Sequence, residues 1–277
     1  MKLDPEESPP DVPLSLSDRP MEPISYSTWD VATHGPRPRP GWVVTELSAV
    51  DTELGVLKTG KEADVHLLNR ARPGEDGVLL AAKRFRPSEH RMFHRDAGYT
   101  EGRRVRRSRE TRAMAQRTEF GRELLAGQWA VAEFGALSAL WRLGAPVPYP
   151  VQLHGTELLL EFIGNSDGVA APRLAQCRPD RAELADLFKQ AREAMHTLAR
   201  AGYAHGDLSA YNMLVQDGQL WIIDLPQIVD IAANPRGDEF LQRDCVNVCT
   251  WFRARGYDAA DPDLLFGDLM AEAVAGW

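Results

Sequence analysis

Short apolar runs bounded by turn residues fill the first half of this chain, and longer runs with helical spacing follow. Leu54–Leu57, Ala63–Leu68 and Val78–Phe85 each read as a strand, separated by turns around Gly60 and from Arg70 to Gly77. From Gln128 to Leu143, the residues Trp129, Leu137, Leu140 and Trp141 make one apolar stripe, and Gly144 closes the helix. Val151–Leu153 and Glu157–Phe162 predict an antiparallel pair turning at Gly155, and Ile163 to Gly168 a flexible crossing between two lobes. A second helix starts at Asp180 with Glu183 as its capping partner, buries Leu184, Leu187, Phe188, Ala191, Met195 and Leu198, and ends at Gly202. Met213–Val215 and Leu220–Ile223 predict a hairpin around Asp217-Gly218. Glu239–Arg253 predicts a third helix with Leu241, Cys245, Val248, Cys249 and Phe252 inward; the remainder to Trp277 carries no further pattern. These elements make an α+β chain: an antiparallel sheet with one helix over residues 42–163, then a mostly helical lobe over residues 164–277.

Composition changes this picture at two places. Residues 1–41 are rich in Pro, Ser and acid, which predicts a disordered tail, with Trp29 and Trp42 as anchors if it docks on a partner or on the domain itself. The Arg-rich stretch 103–122 is strongly basic inside a chain of net charge -8. It reads as a solvated helix or loop, or as the one patch able to meet RNA or an acidic partner. The total charge argues against nucleic-acid binding by the surface at large. No apolar run approaches the ~20 residues that span a bilayer. The acidic start Met1-Lys-Leu-Asp-Pro-Glu-Glu lacks an apolar signal core, and three cysteines are too few and odd for a disulfide framework. The expectation is a cytoplasmic protein that does not meet a membrane. Cys245 and Cys249 have no third metal ligand nearby in sequence and read as small buried residues.

The chemistry concentrates in His205-Gly-Asp-Leu-Ser-Ala-Tyr-Asn212 and Ile223-Asp224. An Asp in a loop, an Asn five positions later and a second Asp after a hairpin is the layout of a kinase site. Asp207 takes the proton of an attacking hydroxyl, and Asn212 with Asp224 supplies hard oxygen ligands to Mg²⁺ on a nucleotide's phosphates. Upstream, Thr59 and Lys61 offer donors around Gly60, where the backbone can approach phosphate closely. Lys83 interrupts an apolar strand and asks for an anionic partner, for which Glu133 on the helix stripe is the candidate; an edge lysine covering apolar surface is the alternative. Asp244, at the margin of its helix, either accepts hydrogen bonds from the catalytic loop or pairs with Arg243 or Arg255.

Thr59-Gly-Lys-Glu-Ala63, Ala82-Lys83, Glu133-Phe134, Gly144-Ala-Pro-Val-Pro148, Glu161-Phe-Ile-Gly164, the stretch 205–212, Ile223-Asp-Leu-Pro-Gln227 and Phe240-Leu-Gln-Arg-Asp244 together resemble a RIO-family atypical serine/threonine protein kinase of the compact bacterial type. The resemblance runs from about Leu54 to Phe252. It implies a two-lobed protein-kinase-like fold with ATP and Mg²⁺ (Mn²⁺ as a substitute) in the cleft. It further implies that Lys83 binds phosphate and pairs with Glu133, and that Glu161 and Ile163 hold adenine through their backbones. Asp207 is then catalytic, Asn212 and Asp224 bind metal, and Asp224 can itself carry a phosphate during ATP hydrolysis. Lys58 departs from the serine of many relatives. No Ala-Pro-Glu follows Asp224, so self-phosphorylation or ATP hydrolysis stands beside phosphorylation of a protein substrate. An antibiotic-type small-molecule phosphotransferase, an ATP-gated module for RNA or protein, and an inactive scaffold are the competing readings.

Overall fold

The computed structural model describes residues 24–86, 119–226 and 228–275. Strands β1 (Ile24–Tyr26), β2 (Thr33–His34), β3 (Val50–Thr59), β4 (Ala63–Ala71), β5 (Val78–Phe85), β6 (Pro150–His154) and β7 (Glu157–Glu161) form one 7-stranded sheet in the order β1-β3-β4-β5-β7-β6-β2. Every pairing in it is antiparallel. Strand alternation decides what each face carries. On β5, Leu80 and Ala82 join Leu68, Leu159, Val151 and Tyr149 on one face. Ala81 and Lys83 turn the other way, into the cleft between the lobes.

The start of order expected at Trp42 lies further upstream. Residues 24–34 supply both edge strands, β1 on β3 and β2 on β6, so this arm crosses the face opposite the cleft. Trp29 is buried there among Leu68, Leu80 and Leu159, with its ring stacked on His34 at 3.9 Å. The Gly35 N–H donates to the Val151 carbonyl (3.0 Å), and the Tyr149 hydroxyl donates to the Pro36 carbonyl (2.8 Å). Proline does not oppose this, because the paired segments contain none. Trp29 and Trp42 therefore anchor the arm to the domain itself; residues 1–23 lie outside the described residues. Beneath the arm, the guanidinium of Arg70 is 1% exposed. It donates to both oxygens of Asp51 (2.7 and 2.8 Å) and to Gln152 (2.7 Å), which donates in turn to Thr28 (2.7 Å). A buried charge is tolerable here because its fork meets a carboxylate.

Helix α1 (Glu119–Arg142) packs on the sheet and buries Ala130, Glu133, Leu137 and Leu140. The second lobe holds α2 (Arg181–Arg200), a short ladder of β8 (Tyr203–Ala204) with β11 (Val229–Asp230), the hairpin β9 (Met213–Gln216) and β10 (Gln219–Ile222), then α3 (Gly237–Arg253) and α4 (Pro262–Ala275). Asp217 and Gly218 both take positive φ (50° and 77°) in the hairpin turn, which is why Asp-Gly stands there. The Asp180 carboxylate accepts from the Ala182 and Glu183 N–H groups (2.8 and 2.9 Å), and Glu183 accepts from Asp180 N–H (2.9 Å). Asp180→Ala removes this cap and should lower stability by about 1 kcal/mol in urea unfolding; an unchanged midpoint would show the cap to be dispensable.

Two expectations are corrected. The crossing after Ile163 is a pinned turn rather than a loose one: Asn165 Oδ1 accepts from Asp167 and Val169 N–H (3.1 and 2.9 Å), and Gly164 bridges Ala170. Beyond Arg253 the chain is not featureless, since α4 buries Leu265, Leu269 and Ala273 against α2 and α3. The Arg-rich stretch lies outside the described residues over 103–118, and its last residues open α1.

Candidate active site

The two lobes enclose a cleft of about 880 Å³, walled by Ala63, Val65 and Lys83 above, Leu160–Ile163 at the rear, and Leu214, Ile223 and Asp224 below. That volume suits a nucleotide-sized ligand.

At its deep end Lys83 sits between two carboxylates. Its Nζ donates to both oxygens of Glu133 (2.8 and 2.7 Å) and to Asp224 Oδ1 (2.7 Å). Lys83 is 8% exposed and Glu133 1%. Burial opposes the ammonium, but the charges of Glu133 and Asp224 outweigh it and hold Lys83 above its ordinary pKa. Burial pushes the Glu133 carboxyl up, with Lys83 pulling against it. Asp224 is different: its side chain is 38% exposed toward the cleft, and Lys83 overcomes desolvation to keep it below the usual carboxylate range. Its backbone adopts φ 68°, a left-handed conformation uncommon for a residue other than glycine and often found where function fixes the chain.

The loop carrying Asp207 is gripped from α3. The Asp244 carboxylate accepts from Gly206 N–H (2.9 Å) and Leu208 N–H (2.8 Å). Arg243 donates to the Gly206 carbonyl, and Asn247 donates to that of Leu208 (3.1 Å). Of the two readings of Asp244, the loop-binding one holds; burial pushes its carboxyl up while the Gly206 and Leu208 N–H groups pull it back. Gly206 takes φ 84°, which permits this sharp turn. His205 Nε2 lies 3.0 Å from the Ile223 carbonyl, an acceptor only, so Nε2 carries the proton and Nδ1 accepts from Asp207 N–H (3.4 Å). Asp244→Asn leaves one acceptor for two N–H groups and should cost about 1–3 kcal/mol in stability. Any phosphoryl-transfer activity should fall with it, and equal urea midpoints for the two proteins would contradict that grip.

Asn212 and Asp224 come together as the hairpin implies. Ile223 N–H donates to the Asn212 carbonyl (3.0 Å), and Asn212 Nδ2 donates to the Asp207 carbonyl (2.9 Å), leaving Oδ1 as its remaining acceptor. Asp207 is exposed, one hydrogen bond from this pair. At the rear, Glu161 pairs with Leu80, and its carboxylate accepts from Tyr149 N–H (3.0 Å); burial raises its pKa. The Ile163 carbonyl is committed to Ala171 N–H (2.9 Å), so its contribution to a ligand falls to its own N–H. Lys61 lines the cleft, whereas Thr59 is exposed and not among the residues that line it. Gly60 N–H donates to the Ala63 carbonyl (3.0 Å), and a Cβ at Gly60 would stand 2.8 Å from that oxygen, so the turn requires glycine.

Sequence reasoning missed two participants. The bond from Lys83 to Asp224 crosses 141 positions and has no local signal. Arg173 lines the cleft floor and donates to the Tyr211 carbonyl (2.6 Å), yet Ala171-Pro-Arg-Leu174 reads as plain connector.

Residues 84–265 match the RIO domain family. The chain is 36% identical to the RIO-type serine/threonine-protein kinase Rio1 of Haloferax volcanii over 228 residues, 82% of this chain and 70% of that protein. It is 37% identical to serine/threonine-protein kinase RIO1 of Caenorhabditis elegans over 139 residues, 50% of this chain and 27% of that protein. To human serine/threonine-protein kinase RIO1 it is 30% identical over 211 residues, 76% of this chain and 34% of that protein. A buried lysine shared by a helix glutamate and a cleft aspartate, with a braced loop carrying Asp207, is an arrangement suited to a kinase, and with these matches the chain belongs to the RIO family of serine/threonine-protein kinases.

Proposed function

We propose that this chain transfers the terminal phosphoryl group of ATP to a protein hydroxyl, its own included, or to water. The observation that carries the reading is the Lys83–Glu133–Asp224 triad at the deep end of a nucleotide-sized cleft, with the Asp207 carbonyl joined through Asn212 to Ile223, the residue before Asp224. Asp207 is the base or orienting group for the attacking oxygen. Lys83, fixed by Glu133, meets the phosphates, and Glu161 and Ile163 present backbone groups to adenine.

The donor set fits Mg²⁺. Asn212 Oδ1 and an ionised Asp224 are two hard oxygens, few enough for an ion that keeps waters and shares phosphate oxygens; Mn²⁺ accepts the same donors. The chemistry such an ion supplies when bound is neutralisation of charge on the phosphates. Among the described residues no cluster of three or more His, Cys, Asp or Glu side chains forms a metal site of its own, in keeping with an ion shared with nucleotide. An ionised Asp224 facing the cleft supports a further route in which its carboxylate attacks the γ-phosphorus, ADP leaves, and water hydrolyses the acyl phosphate to free phosphate and the restored carboxylate.

No helix among the described residues is long and apolar enough to cross a membrane. Free Cys177, Cys245 and Cys249 fit a reducing cytoplasm. RNA or an acidic partner at 103–122 rests on sequence alone. Incubation with γ-labelled ATP and Mg²⁺ tests the whole reading. Label on the chain or on a co-incubated protein, or free phosphate, is expected, and hydroxylamine should discharge any label on Asp224 but not one on serine. A folded chain giving neither label nor phosphate would overturn the proposal.

A further inference from the structure

Lys58 and Arg173 are not used by the chemistry above, yet both line the cleft, one from each lobe. Lys58 is put there by an irregularity. In a regular strand successive residues face opposite ways. The β3–β4 register shifts between Val56 and Lys58, and both Leu57 and Lys58 consequently line the cleft. Arg173 is equally fixed. Its backbone bridges Leu214, its N–H donates to Gln176 Oε1 (2.9 Å), and its Nη1 donates to the carbonyl of Tyr211, the residue before Asn212. That leaves the rest of its guanidinium fork beside the catalytic loop. Burial holds Lys58 below its ordinary pKa, and the positive charge of Arg173 lowers it further. Lys61 also lines the cleft, and Lys83 is already neutralised by Glu133 and Asp224. Two like charges converging from separate lobes are unfavourable until an anion comes between them.

We infer that Lys58 and Arg173 form a clamp across the mouth of the cleft that holds the polyphosphate tail of the nucleotide. This rests on the phosphoryl-transfer reading and adds a second point of phosphate recognition to Lys83. A cation from each lobe on one anion also favours closure of the cleft over a triphosphate more than over a nucleoside.

Calorimetric titration of ATP and of adenosine, each with Mg²⁺, tests this on the wild type, Lys58→Met, Arg173→Met, the double variant and Arg173→Lys. Both side chains are at the surface of the cleft, and thermal unfolding of each variant confirms folding. The double variant should bind ATP on the order of tenfold or more weakly, the scale of a lost charge-assisted hydrogen bond, while its affinity for adenosine holds. Arg173→Lys should recover part of the loss, since it keeps the charge without the fork. ATP affinity unchanged in the double variant, or ATP and adenosine weakened alike, overturns the clamp and leaves phosphoryl transfer standing. Wild-type chain that binds no ATP overturns both.

Discussion

Asp207→Ala should lower ATP turnover by roughly 10²–10⁴-fold, the range for removing a positioned acid–base group. The fold should survive it, because Asp207 is exposed and its loop is braced by its neighbours: Gly206 and Leu208 through Asp244, and Leu208 through Asn247. An exposed substitution of this kind changes stability by within about 0.5 kcal/mol. Steady-state phosphate release and urea unfolding on one preparation separate the two effects. Turnover that matches wild type would remove Asp207 from the chemistry, and turnover lost together with stability would make it a structural residue.

Lys83→Met should be the more damaging change, because it strikes folding and activity together. Methionine replaces the apolar stem but strands Glu133, which is 1% exposed, beside the second carboxylate of Asp224. Breaking a buried pair by removing one partner costs about 3–5 kcal/mol. Pairing with Glu133→Gln should return much of that stability without returning activity, since the amide needs no cation but the phosphates still lack one. The sign of the pH response is a second readout. In the wild type, Asp224 lies below its ordinary value, so its contribution is present above the usual carboxylate pKa and lost as pH falls through the lowered one. Lys83 lies above its own, so its contribution is lost only in strong alkali, as pH rises through the raised value. With Lys83 gone, Glu133 loses the cation that pulled it down and keeps the burial and the Asp224 charge that push it up, so it binds a proton on folding and the variant should gain stability as pH falls toward the carboxylate range. A variant that loses stability as pH falls there would mean the pair is not the source.

What could be read in advance had short-range grammar. The Asp180–Glu183 cap, the Asp217-Gly218 turn and the spacing from Asp207 to Asn212 are each decided within a few residues, and all stand where expected. Lys83 with Glu133 was legible for a different reason: a charge in an apolar run must be answered, and few carboxylates lie on an apolar face. The same logic should have flagged Arg70 and Asp51, but both lie on strands where alternation makes a polar residue look solvent-facing. The arm was missed because its strands, Ile24–Tyr26 and Thr33–His34, are too short to show a period and their partners lie far along the chain. Helix α4 was missed because Leu264, Leu265, Phe266 and Leu269 surround it with apolar side chains, so no single stripe stands out. Lys58 stands out in the sequence as a departure, but its bearing on the cleft depends on a strand irregularity that only the register reveals.

The arm that closes both margins of the sheet sets a limit on how this protein can be trimmed. A fragment starting at Trp42 would strip β1 from β3 and β2 from β6, baring two rows of unpaired backbone amides and carbonyls beside the uncovered side chains of Tyr149, Val151 and Leu159. Such a fragment is a template for strand exchange between neighbouring molecules, and its loss from solution would come from self-association rather than from any fault in the catalytic machinery.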